Sequence, residues 1–61
     1  MKYEVRNIAG GTTTTTSLDK ALQIASSWGE NAKIYSTTTG RLLYAWEGNF
    51  DDNGYPIFVK K

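Results

Sequence analysis

The chain has 61 residues, no cysteine, no histidine and a formal net charge of +1. That length holds one small domain, 1–61, with a marginal core that no disulfide can reinforce. The missing cysteines and histidines exclude the usual zinc sets and the common nucleophiles and bases; the near-neutral charge argues against a broad nucleic-acid footprint, and no apolar run approaches the roughly 18 residues of a membrane span.

Met1-Lys2-Tyr3-Glu4 lacks the apolar segment of a signal peptide, so a soluble cytoplasmic protein is expected. Lys2 to Arg6 alternates, with Tyr3 and Val5 on one side and charges on the other, which reads as a half-buried strand. Ile8 breaks the alternation, and Ala9-Gly10-Gly11 signals a turn. The run Thr12 to Thr16 is low in complexity. β-branching favours a second hairpin arm, and a flexible loop is the competing reading.

Ser17 or Thr16 caps a helix, with Asp19 in the first turn, where the helix dipole favours an acid. Leu18, Ala21, Leu22, Ala25 and Trp28 form one apolar stripe that Ile24 widens. Gly29 ends the helix. Three turns are marginal alone, so packing on a sheet must hold them.

Two strands follow, at 32–36 and 41–47, around the loop Thr37-Thr38-Thr39-Gly40. Gly40 suits a loop position with positive φ, and the Ser36 hydroxyl can accept from amides two or three residues on. A four-residue loop pairs Tyr35 with Leu42, Ile34 with Leu43, Lys33 with Tyr44 and Ala32 with Ala45. One face then carries Ala32, Ile34, Leu43 and Ala45, a small aliphatic surface suited to the helix. The other carries Lys33, Tyr35, Leu42, Tyr44 and Trp46. A three-residue loop would instead set Ile34 beside Tyr44 and Trp46, because one slip exchanges the faces of a strand. Residues 48–54 read as a connection with Asn53-Gly54 as its turn pair, and Tyr55 to Lys60 as a last strand in which Pro56 belongs at the start or on an edge. The fold expected is α+β and two-layered: a mostly antiparallel sheet of four to five strands with a single helix on one face, in the order ββαβββ.

Candidate chemistry is sparse. Asp51-Asp52-Asn53-Gly54 has oxygen donors but lacks the alternating ligands and distant Glu of a calcium loop. Gly10-Gly11 before threonines lacks a phosphate-loop signature. The acids Glu4, Asp19, Glu30, Glu47, Asp51 and Asp52 stand outside apolar runs, and so small a sheet has little volume for a closed pocket. The expectation is a protein without enzymatic activity, cofactor or metal. The aromatics are the lead. Tyr35, Tyr44 and Trp46 fall on the face away from the helix beside Leu42, with Lys33 and Arg41 at the rim. Tyrosine and tryptophan with a basic border are what interfaces use as anchors. The competing reading of any one ring is packing under Phe50, Tyr55 or Phe58 to fill a scant core. Sheet aromatics also stack bases in RNA-recognition modules, but here the seven cations are scattered.

The run Ser17-Leu-Asp-Lys-Ala-Leu-Gln-Ile-Ala-Ser26, followed by a Thr-Thr-Gly hairpin, resembles short phage-encoded reading frames. Among these it is similar to small anti-CRISPR proteins with one helix on an antiparallel sheet, type I-F members most of all. The similarity covers roughly residues 3–47 in order of elements and only the helix-start motif in letters. It implies a phage or mobile-element inhibitor in the host cytoplasm that blocks a bacterial nucleoprotein complex by steric occlusion. No functional residue carries over by position. The expected function is therefore a protein-binding module, monomeric or homodimeric, with Lys33, Tyr35, Arg41, Leu42, Tyr44 and Trp46 as its partner-binding residues; the alternative is single-stranded nucleic-acid binding.

Overall fold

The computed structural model describes residues 2–29 and 31–61. Five strands and one helix follow the expected order: β1 (Tyr3–Arg6), β2 (Thr12–Thr15), α1 (Leu18–Trp28), β3 (Lys33–Ser36), β4 (Leu42–Phe50) and β5 (Pro56–Lys60). All neighbouring strands run antiparallel, in the spatial order β2-β1-β3-β4-β5. The helix packs on one face of this sheet. The architecture is the α+β two-layer arrangement that the sequence pattern predicts.

The β1–β2 hairpin closes on Asn7. Its carbonyl accepts from Gly10 N–H at 3.1 Å, its own N–H reaches the Gly11 carbonyl at 2.9 Å, and its side-chain oxygen accepts from Ala9 N–H at 2.7 Å. Gly10 has φ of 96°, a conformation that suits glycine. The threonine tract is the edge strand β2. Thr13 and Thr15 are half-buried toward the helix side, while Thr12 and Thr14 are exposed.

Ser17 caps α1, its Oγ accepting from Lys20 N–H. Gly29 ends the helix at φ 100° and donates to the Ala25 carbonyl. Ala21 and Ala25 are fully buried against Val5, Ala32 and Ile34, and Tyr3, Leu22, Ile24, Trp28, Tyr44 and Phe58 pack around this centre. Alanines in the helix seam allow the backbone to approach the sheet closely. The cost is a core whose largest fully buried side chains are Ile34 and Val5. Each contributes about 1.5–3 kcal/mol by burial.

The β3–β4 hairpin forms the expected loop. Gly40 has φ of 73°, Gly40 N–H reaches the Ser36 carbonyl at 2.8 Å, and Ser36 N–H reaches the Arg41 carbonyl at 2.9 Å. Ser36 is buried, and its Oγ accepts from the amides of Thr38 and Thr39 at 3.2 and 3.3 Å. Thr37 then ties the loop to the first strand through the Lys2 carbonyl.

Beyond the first pair the register departs from expectation. Tyr35 pairs with Leu42 as predicted, but Ile34 pairs with Tyr44 and Lys33 with Ala45. Leu43 is the extra residue of a β-bulge, and its carbonyl is taken by Lys61 N–H at 2.8 Å. The expected pairs Ile34–Leu43, Lys33–Tyr44 and Ala32–Ala45 are therefore not formed. The four-residue loop is kept, while the facing of the rest of β4 is that of the shorter loop. A physical reason lies in the helix: its two alanines leave room beside Val5 and Ile34 that a tyrosine ring fills better than a leucine.

Strand β4 also runs three residues further than expected. It reaches Phe50 through a second irregularity, where three residues between Trp46–Phe58 and Phe50–Pro56 face one on β5. Gly48, at φ 105°, takes up the bend. The connection shrinks to a turn at 51–55, closed by Asp51 N–H to the Tyr55 carbonyl at 2.8 Å and Gly54 N–H to the Asp51 carbonyl at 3.0 Å. The Asp51 carboxylate accepts from the amides of Asn53 and Tyr55, both at 2.9 Å. The segment with a calcium-loop composition thus uses its first acid to hold the turn.

Ile34→Val is expected to cost about 1 kcal/mol and Ile34→Ala about 2–5 kcal/mol. For a domain with roughly 3–5 kcal/mol in hand, the first lowers the melting midpoint by several degrees and the second leaves the chain largely unfolded, as read by circular dichroism.

Candidate functional site

Alternation from Val5 and Ile34 sets Glu4 and Arg6 of β1, and Lys33 and Tyr35 of β3, on the face away from the helix. Glu4 lies across from Tyr35, and Arg6 across from Lys33. The Arg6 guanidinium reaches Glu4 Oε1 at 2.7 Å and sits 4.2 Å from the centre of the Tyr35 ring. This exposed stack of acid, cation and ring is worth about 0.5–1 kcal/mol in its cation–π part. It holds the Tyr35 ring against the sheet.

At the end of the sheet where β1 leaves and β3 enters, an open groove of about 430 Å³ is lined by Arg6, Asn7, Ile8, Asn31, Lys33, Tyr35 and Trp46. Trp46 stands one residue past the last β3–β4 pair, Lys33–Ala45. Its indole N–H donates to the Asn49 carbonyl at 2.7 Å, and its ring lies 5.2 Å from that of Phe50 at a tilt of 55°. The bend at Gly48 makes both contacts possible. The groove wall therefore combines two cations, two side-chain amides, two aromatics and one isoleucine. Such groups recognise an acidic and partly apolar surface; a base paired with a nucleophile is not among them.

The six residues expected to form one contact face divide into three places. Lys33, Tyr35 and Trp46 line the groove. Arg41 and Leu42 line a second hollow of about 300 Å³ with Ser36, Thr39, Leu43 and Lys61, beside the hairpin loop. Tyr44, placed by the bulge beside Ile34, packs against the helix-side core. The expectation that Tyr44 and Trp46 stand together on the open face with Lys33 is corrected accordingly. The inserted residue moves every later side chain of β4 by one step, Tyr44 and Trp46 alike; Trp46 lines the groove from its place past the last β3–β4 pair, at the open end of the sheet.

Sequence reasoning missed Arg6, Asn7, Ile8 and Asn31 as partners of Lys33 and Tyr35. The β1–β3 pairing brings Arg6, Asn7 and Ile8 to Lys33 and Tyr35 across some 27 positions of chain, and only the strand order reveals it, while Asn31 lies two residues before Lys33. Ile8 did carry a signal. It broke the β1 alternation, and in the structure it stands at the hairpin tip, 82% exposed. Of the acids considered for catalysis, Glu4 pairs with Arg6, Glu47 with Lys61, and Asp51 holds its turn. Glu30 lies outside the described residues. Among the described residues no group of three or more acids gathers as a metal site would require. Among the described residues no helix is long and apolar enough to cross a membrane.

No protein-family model matches the chain, and no curated protein or solved structure is significantly similar to it.

The division of the aromatics predicts distinct stabilities. Tyr44→Ala removes a ring from the core margin and is expected to cost about 2 kcal/mol or more, while Tyr35→Ala loses one exposed stack and costs under about 1 kcal/mol. Thermal melts of the two variants should differ by roughly 5–10 °C, with Tyr44→Ala the lower.

Proposed function

We propose that this protein is a non-enzymatic protein-binding module whose contact surface centres on the groove at the open end of the sheet. The observation that supports the reading is the convergence there of Lys33, Tyr35 and Trp46 with Arg6 and the exposed Ile8. Aromatic and arginine anchors beside an aliphatic residue, bordered by amides and a lysine, have the composition of an interface centre. Single-stranded nucleic acid is the weaker occupant. Arg6 already covers one face of Tyr35, where a base would stack, and among the described residues two cations line the groove. The similarity to small phage-encoded anti-CRISPR proteins extends the proposal to an inhibitor that covers part of a bacterial nucleoprotein complex. A rigid domain with principal extents of 32 × 22 × 17 Å acts in such a role by steric occlusion.

The test is retention from nuclease-treated bacterial lysate on the immobilised protein. Wild type is expected to retain a defined partner, and Lys33→Glu combined with Tyr35→Ala should weaken retention by more than about tenfold at an unchanged circular dichroism spectrum. Arg41→Ala, in the other hollow, should change it little. Equal retention by wild type and the double variant, or retention that disappears with nuclease, contradicts the proposal.

A further inference from the structure

At the far end of β4 the molecule carries a second surface, complementary to the groove in charge. The β4–β5 turn presents Asp51 and Asp52 between Phe50 and Tyr55, which are 49% and 53% exposed. Asp51 holds the turn through its carboxylate, while Asp52 is exposed and has no hydrogen bond or ion pair among the described residues. The turn is thus a preformed acidic wedge with an aromatic ring on each flank.

The groove offers the opposite set. Lys33 and Arg6, the latter already paired with Glu4, supply the cations, and among the described residues its lining contains no acid. Asn7 commits its side-chain oxygen to the Ala9 amide, which leaves its NH₂ group as a donor toward a carboxylate. Ile8 and Trp46 supply apolar surface for a ring. Groove and wedge are neighbours, because Trp46 of the groove touches Phe50 of the wedge. Within one chain the groove stays open, and Asp52 of the turn has no hydrogen bond or ion pair among the described residues.

We infer that the groove receives the Phe50–Tyr55 turn of a second copy of this chain, in a reciprocal dimer. A twofold axis near the Trp46–Phe50 contact sets each turn over the other chain's groove. The two contacts are identical, and the assembly closes at two copies. Asp52 then faces Lys33 across the interface, and Phe50 and Tyr55 cover Ile8 and Trp46. Contacts this small associate weakly, with half-dimerisation near roughly 100 µM. The dimer does not rest on the partner-binding reading above, and a strictly monomeric chain leaves that reading to its own test.

Charge reversal with rescue decides the matter. Sedimentation velocity of the wild type over a concentration series should show mass rising from 6.8 kDa toward twice that value, less so at 1 M salt, where screening shortens to about 3 Å. Lys33→Glu and Asp52→Lys should each shift the midpoint at least about tenfold toward monomer, because each homodimer then faces like charges. An equimolar mixture of the two variants should restore the dimer, since both of its contacts become Glu–Lys or Lys–Asp pairs. Lys33→Gln and Asp52→Asn, which remove charge without reversing it, serve if a reversal disturbs folding; each should weaken association, and their mixture, which keeps one Lys33–Asp52 pair of the two, should recover it only in part. A wild type that stays monomeric throughout overturns the inference. So does a dimer indifferent to both substitutions, which would point to pairing of the β5 edges, and so does a mixture of the reversed variants that fails to associate.

Discussion

One extra residue in β4, Leu43, decides which side of the sheet each later side chain of that strand meets. Without it, Tyr44 would stand in the open beside Lys33, and Leu43 would lie beside Ile34. With it, Tyr44 joins Ile34 on the helix side and Ala45 lies across from Lys33. Leu43 keeps a backbone partner, because Lys61, just past the end of the neighbouring β5, donates to its carbonyl. The bulge therefore leaves that carbonyl satisfied and bends β4 where the strand must serve both layers.

The bulge answers a shortage of volume. Ala21 and Ala25 let α1 approach β1 and β3 closely, and Val5 and Ile34 are the bulkiest side chains wholly removed from water. A tyrosine at the margin adds apolar area that so short a chain cannot supply elsewhere. Of the three aromatics expected on the contact face, Tyr35 and Trp46 line the groove. Tyr35 is held by Arg6, and Trp46 by Asn49 and Phe50. The proposed contact surface is thus made of side chains already held by their neighbours, which limits the conformational entropy lost if it is covered.

Much of the fold was legible in the chain. Apolar spacing, Ser17 and Gly29 marked the helix and its ends, and Ser36 and Gly40 specified the hairpin loop with its capping hydroxyl. Pro56 began a strand, as its missing N–H requires. The register beyond the first hairpin pair was not legible, because Leu42, Leu43 and Tyr44 are all apolar and any two of them satisfy alternation. The extension of β4 past Gly48 was hidden as well, since a glycine in a strand reads as an ending until a partner strand is seen to continue. The candidate site was legible only in part. Lys33, Tyr35 and Trp46 could be singled out by type, but their union with Arg6, Asn7 and Ile8 follows from β1 lying next to β3, a long-range pairing that local pattern does not encode.

The bulge puts Tyr44 beside Ile34 at the core margin, while Tyr35 and Trp46 line the groove, and the functional proposal depends on that placement. Cross-strand nuclear Overhauser effects test it most directly. The account predicts backbone contacts between Ile34 and Tyr44 and between Tyr35 and Leu42, with Leu43 passed over, and contacts from the Tyr44 ring to the methyl groups of the buried core. Backbone contacts between Ile34 and Leu43, with the Tyr44 ring close to the Lys33 side chain, would contradict it.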